Sequence, residues 1–245
     1  MPVSLPGPCR ILPRYGGKGL VCQAARGARA GGLALAVILA ALGGGRAHAD
    51  PGAGAGGAPV VLSVLGDSLT AGYGLPADEA FPARLGRALA EKGHAVRVVN
   101  AGVSGDTSAG GLARLDWVLG DEPQAMIVEL GANDGLRGLD PVATRTNLDR
   151  ILRTLRDHGV AVLLAGMKAP PNMGREYAQV FDAVYPQLAA DHDVVFYPFF
   201  LEGVALNPAL NQADGMHPNA QGVDEVVARI LPAVETLLDR VEEGR

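Results

Sequence analysis

From residue 60 onward, short apolar runs rich in β-branched residues alternate with longer stretches in which apolar side chains return every three or four positions. The runs cover residues 60–65, 96–100, 125–130, 160–165 and 194–197. Apolar runs without regular polar alternation suit strands covered on both faces. The intervening stretches, near 80–92, 108–119, 141–158 and 175–192, with a last one from Asn219 to near 241, carry the helical period. Leu148, Ile151, Leu152 and Leu155, spaced i, i+3, i+4, i+7, give one of them a single apolar face. Alternating strands and amphipathic helices predict a parallel sheet with helices packed on both sides. The expected fold class is α/β: a three-layer α/β/α domain over residues 60–245 with a five-stranded parallel sheet. The pattern contains no internal repeat and no second domain.

Before residue 60 the pattern changes. Residues 1–49 hold no acidic side chain, six basic ones (Arg10, Arg14, Lys18, Arg26, Arg29 and Arg46) and an apolar core over 31–45 that ends in Ala47-His48-Ala49. A basic start, a short apolar centre and a small-x-small terminus predict a secretory signal peptide cleaved after Ala49. The core is shorter than the roughly 20 residues that cross a bilayer. No stable membrane anchor is therefore expected after cleavage, and the product is expected to be periplasmic or secreted. Residues 50–59, rich in Gly, Ala and Pro, read as a flexible lead-in.

Removing the leader alters charge and chemistry. Six of the 21 basic residues go with it, leaving 15 against 26 acidic ones, a formal charge near −11. Such a surface repels phosphate backbones and anionic headgroups, and no basic patch with interleaved aromatics remains, so nucleic acid is not an expected partner. Both cysteines, Cys9 and Cys22, lie in the leader, which leaves the mature chain without thiol chemistry. No His-Glu-x-x-His, cysteine pair or carboxylate–histidine cluster marks a metal site. The stretch 66–74 lacks the lysine of a phosphate loop, and no cofactor is implied.

In open α/β sheets, sites form outside the carboxyl ends of the strands. Three segments fall there: Gly66-Asp67-Ser68-Leu69, Gly102-Val103-Ser104-Gly105-Asp106-Thr107, and Gly131-Ala132-Asn133-Asp134. A fourth, Asp214-Gly215-Met216-His217, precedes the last helix. Ser68 sits at a strand-to-helix turn where its hydroxyl can project from the sheet edge. A neutral hydroxyl needs a base to become a nucleophile, and His217 is the candidate, with Asp214 to fix its tautomer. The competing role for Ser68 at such a turn is helix N-cap. His94, His158 and His192 each stand beside a predicted helix end, where a cation suits the dipole. Only His217 combines a loop setting with a carboxylate three residues back.

Acyl transfer also needs donors for an oxyanion. Gly105 can bring its N–H close to a substrate because no Cβ intervenes, and Asn133 carries a side-chain amide. Asp67 reads as ordering its turn through backbone N–H groups. Glu129, inside a strand expected to be buried, needs a partner to stay ionised, and the sequence names none. The loop 167–177, with Met173 and Gly174, is expected to bind the acyl group; its alternative is an ordinary strand-to-helix connection.

On these four blocks, present and in order, the chain resembles the SGNH, or GDSL, hydrolase family. The segments Ala71-Gly72-Tyr73-Gly74-Leu75-Pro76 and Ala169-Pro170-Pro171-Asn172-Met173-Gly174 are most similar to its branch of periplasmic arylesterases, acyl-CoA thioesterases I and lysophospholipases. The resemblance implies a flavodoxin-like sheet of order 2-1-3-4-5 and a Ser68/His217/Asp214 triad. It also implies oxyanion donors in the N–H groups of Ser68 and Gly105 and the amide of Asn133. Thr70 stands where a Gly-x-Ser-x-Gly elbow would carry its second glycine, which argues against the larger lipase fold.

The expected function is a serine esterase acting on small to medium acyl or aryl esters and lysophospholipids. Polyanionic coenzyme A esters rank lower, because the charge near −11 opposes them. Two other readings stay open: a carbohydrate acetylesterase of the same fold, and a non-catalytic envelope binding protein.

Overall fold

The computed structural model describes residues 58–244. The expected leader over residues 1–49 lies outside the described residues, as does the lead-in through residue 57. The five strands are β1 Val60–Gly66, β2 Val96–Gly102, β3 Ala125–Glu129, β4 Ala161–Ala165 and β5 Val195–Tyr197. All pair in parallel, in the order β2-β1-β3-β4-β5. The central strands β1, β3 and β4 are buried along nearly their whole length, whereas the edge strands β2 and β5 are partly open. Predominantly apolar sequence without regular polar alternation therefore marks the strands that helices cover on both faces.

The α-helices among the described residues are α1 Ser68–Ala71, α2 Phe81–Glu91, α3 Ser108–Ala113, α4 Leu115–Leu119, α5 Ala132–Leu136, α6 Pro141–Asp157, α7 Arg175–His192 and α8 Ala220–Glu243. One layer is α2 packed with α8; the other joins α3, α6 and α7, with α6 and α7 also against β4. Leu148, Ile151, Leu152 and Leu155 of α6 are all buried, as the spacing requires. The long α8 lays Val223, Val226, Val227, Ile230, Val234, Leu237 and Leu238 on the core at the same three-and-four rhythm. No described helix is long and apolar enough to cross a membrane.

Two features depart from the sequence pattern. The stretch expected to form one helix over 108–119 is split at Arg114, whose backbone leaves the helical region (φ −110°, ψ 8°). There the guanidinium turns inward, donating to Asp106 Oδ2 at 2.6 Å and to the Gly66 carbonyl at 2.9 Å. The other departure is α1 and α5, single turns too short to show a period. Both sit directly after the carboxyl ends of β1 and β3, which are neighbours in the sheet. The connections from β1 run to β2 on one side, while β3 lies on the other, so the crevice of the topological switch point opens at these two turns.

Candidate active site

At the end of β1 the chain enters α1 through Asp67, whose Oδ1 accepts the Leu69 N–H at 2.9 Å. Asp67 is thus the N-cap, the role that competed for Ser68, and Ser68 becomes the first helical residue with its hydroxyl free for other partners. That oxygen lies 2.9 Å from His217 Nε2, across 149 positions of sequence. On the other side of the ring, Nδ1 is 2.6 Å from Asp214 Oδ2. Asp214 Oδ1 meanwhile accepts the backbone N–H groups of Met216 at 2.9 Å and His217 at 3.0 Å. The three-residue spacing lets one carboxylate hold both the turn and the ring that the turn carries. These backbone donors, with the ring after them, hold the Asp214 carboxyl down at about 2. An anion that only accepts leaves the proton on Nδ1 and turns the lone pair of Nε2 toward Ser68.

The expected oxyanion donors differ in their engagement. The backbone N–H groups of Ser68 and Gly105 have no hydrogen-bond partner among the described residues. Gly105 holds φ at +87°, a region that favours glycine, while Arg137 Nη2 donates to its carbonyl at 2.8 Å. The Asn133 amide, on α5, gives both of its hydrogens to protein: Nδ2 donates to Asp67 Oδ2 at 3.0 Å and to the Asp106 carbonyl at 2.9 Å. One amide thereby ties together the exits of β1, β2 and β3.

Beneath Ser68 lie two fully buried carboxyl groups, Asp67 and Glu129. Burial raises the Asp67 carboxyl to about 6, against hydrogen bonds from Leu69 and Asn133 that pull it down. Burial, and then the charge of Asp67, push Glu129 well above the ordinary carboxylate range. The partner that the sequence left unnamed for Glu129 is Thr70: its hydroxyl donates to Glu129 Oε2 at 2.6 Å, and the Asp67 N–H reaches the same oxygen at 3.4 Å. This contact gives Thr70 a physical reason to stand where another fold has glycine. Asp134 accepts from the Ser108 N–H and hydroxyl and the Thr144 hydroxyl, pinning α3 and α6 to α5.

The remaining candidates have other neighbours. Met173 lies against the turn after α5, where its methyl packs beside Gly138, and Gly174 opens α7 with free space around it. No hydrogen bond ties either residue to Ser68, His217 or Asp214. His94, His158 and His192 each sit at a helix end and bind Glu235, the Thr154 carbonyl and Asp149 respectively. Sequence reasoning missed Arg114, Asp106, Gln212 and the ring of Tyr73, whose centroid is 4.6 Å from that of His217. Each owes its place to a partner distant in sequence, so no local motif marks it. Among the described residues, no cluster of three or more His, Cys, Asp or Glu side chains is arranged to hold a metal ion.

Known proteins resemble this chain in sequence and in fold. The model of the GDSL-like lipase/acylhydrolase family matches residues 64–224. Esterase TesA of Pseudomonas aeruginosa is 43% identical over 178 residues, which cover 72% of this chain and 89% of the relative. An arylesterase of Vibrio mimicus is 42% identical over 69% of this chain and 87% of its own. Thioesterase 1/protease 1/lysophospholipase L1 of Escherichia coli is 46% identical over 64% of this chain and 75% of its own. Among solved structures, AlinE4, described as a SGNH-hydrolase family esterase, superimposes with a TM-score of 0.63 at 49% identity, covering 74% of this chain and 98% of that one.

Proposed function

This chain belongs to the GDSL-like lipase/acylhydrolase family and is a carboxylic ester hydrolase, and we propose that it works through an acyl-enzyme on Ser68, with His217 as base and Asp214 as the anchor of the imidazole. The observation that carries this reading is the unbroken line of contacts from Asp214 to His217 at 2.6 Å and from His217 to Ser68 at 2.9 Å. His217 Nε2 takes the hydroxyl proton as Ser68 Oγ adds to the ester carbonyl carbon. The resulting oxyanion is met by the N–H groups of Ser68 and Gly105, which hold no other partner among the described residues. Asn133 supplies a third donor by sharing a hydrogen that rests on Asp67 or on the Asp106 carbonyl. The imidazolium, stabilised by the Asp214 anion, then returns its proton to the departing alcohol or phenol. In the second half, water gives a proton to His217 as its oxygen adds to the acyl carbonyl, and the intermediate then expels Ser68 Oγ, which takes that proton back from the imidazolium as the acid leaves.

The substrates we propose are small to medium acyl or aryl esters and lysophospholipids, in keeping with relatives named arylesterase and lysophospholipase. The mature chain's charge near −11 weighs against polyanionic coenzyme A esters. Met173 and Gly174 are proposed to border the acyl group from the loop before α7. Residues 1–49 are proposed to be a leader removed after Ala49, delivering the domain to the periplasm or beyond it. Replacing Ser68→Ala should abolish hydrolysis of p-nitrophenyl butyrate and leave thermal unfolding in place. Retention of most of the activity would remove Ser68 from the mechanism.

A further inference from the structure

We infer that Gln212 and Tyr73 form a positioning bracket that sets the His217 imidazole over the Ser68 hydroxyl, an inference that rests on the reading of His217 as the base. Ser68 and His217 stand on segments 149 positions apart, and the proton they share needs their separation held to a fraction of an ångström. The Asp214 contact does not supply that constraint. Asp214 and His217 belong to the same turn, so the carboxylate fixes the ring within its loop and would travel with it. The loop itself is largely open to solvent from Ala213 to Met216. Something must cross from it to α1.

Gln212 makes that crossing. Its Nε2 donates to the Tyr73 carbonyl at 2.7 Å, across 139 positions, and to the Pro218 carbonyl at 2.9 Å. Its backbone N–H donates to the His217 carbonyl at 2.8 Å. Tyr73 in turn donates its own N–H to the Ser68 carbonyl at 3.1 Å. The path from nucleophile to base through protein thus runs Ser68, Tyr73, Gln212, His217, with one hydrogen bond at each step. Gly74, at φ +75°, keeps this path open, because a Cβ there would strike the Gln212 side chain. The loop is closed behind Gln212 by the bridge between Asn211 and Pro218 and by Asn219 N–H to the Leu210 carbonyl at 2.9 Å.

The Tyr73 ring completes the bracket. It is 54% exposed, so core packing does not account for its position. It lies over the imidazole at a centroid distance of 4.6 Å and a tilt of 37°, where it limits ring rotation and presents a π face to the imidazolium that forms during transfer. The Gln212 amide ends on two carbonyl oxygens, so it acts as a double donor. A glutamate of the same size would face both oxygens with acceptors.

The test uses the mature enzyme with Gln212→Ala, Gln212→Glu, Tyr73→Ala and Tyr73→Phe. The readouts are kcat and KM on p-nitrophenyl butyrate, the rate of Ser68 labelling by a fluorophosphonate, and thermal unfolding. Gln212→Ala should lower kcat about 10- to 100-fold and slow labelling in parallel, with KM moved less than about twofold. Gln212→Glu should be no more active than Gln212→Ala despite its matched size. Tyr73→Ala should lose about two- to fivefold in kcat, and Tyr73→Phe, which keeps ring and carbonyl, should recover it. Wild-type kcat in Gln212→Ala, or a loss confined to KM, would overturn the bracket. If Gln212→Ala fails to fold, the Tyr73 pair decides, and wild-type kcat in Tyr73→Ala would overturn it. His217→Ala, assayed alongside, separates the two levels: an active His217→Ala removes the base assignment itself, whereas an inactive one beside active Gln212 and Tyr73 variants removes only the bracket.

Discussion

Both hydrogens of the Asn133 amide end on protein acceptors, while the neighbouring N–H groups of Ser68 and Gly105 are without partners among the described residues. In the proposed mechanism the two free N–H groups are the ready donors for an oxyanion, and the amide would have to be borrowed from Asp67 or Asp106. Asn133→Ala should lower kcat by about 100- to 1,000-fold, the usual effect of removing one such donor, with a smaller change in KM. Steady-state kinetics on an aryl ester checks this, and a kcat near wild type would take Asn133 out of the oxyanion site. Ser68, Asp214 and His217 could be read as a set because carboxylate and imidazole share a three-residue spacing and the serine follows an apolar strand. Gln212 could not. Its side chain acts through a carbonyl 139 positions away, and nothing in its neighbourhood distinguishes it from any loop glutamine.

At the scale of elements, the strands were legible and the one-turn helices were not. Predominantly apolar sequence marks β1, β3 and β4 because helices cover both of their faces, but α1 and α5 contain only four and five residues and hold no period. Their formation depends instead on contacts across the sheet. The Thr70 hydroxyl on Glu129 joins α1 to the end of β3, and Arg114 breaks the helix expected over 108–119 in order to reach Gly66. Gly66 lies at the centre of this junction, where an added Cβ would collide with the Thr70 side chain and the Glu129 carboxylate. Gly66→Ala should therefore destabilise the fold by about 1–3 kcal/mol, the range for overpacking a filled site. Urea denaturation reads this directly, and an unchanged midpoint would show that the junction can yield.

For the molecule as a whole, the buried carboxyl pair gives stability a dependence on pH opposite to that of Asp214. Asp67, raised to about 6, keeps a proton in the native state that the unfolded chain has already released. Its contribution is complete below about 4, the ordinary aspartate value, and is lost as pH rises through about 6. Glu129, raised well above its ordinary value, acts in the same direction. Asp214, held at about 2, contributes above the ordinary aspartate range and fails only as pH falls toward 2. Relative to Asp67→Asn, the wild type should gain about 1 kcal/mol of stability between pH 7 and pH 5. Urea melts at the two pH values measure it, and a constant difference would show that Asp67 does not titrate there. The three-layer arrangement followed from the alternation of patterns, whereas the strand order came from family resemblance, since local sequence does not say which strands become neighbours. That order is what gathers the ends of β1, β2 and β3 around one serine. Peptide mapping after treatment with a fluorophosphonate tests the resulting assignment most directly. One adduct per chain, carried on Ser68, absent from Ser68→Ala and formed far more slowly in His217→Ala, is the expected result; an adduct on another residue, or undiminished labelling without the imidazole, would contradict it.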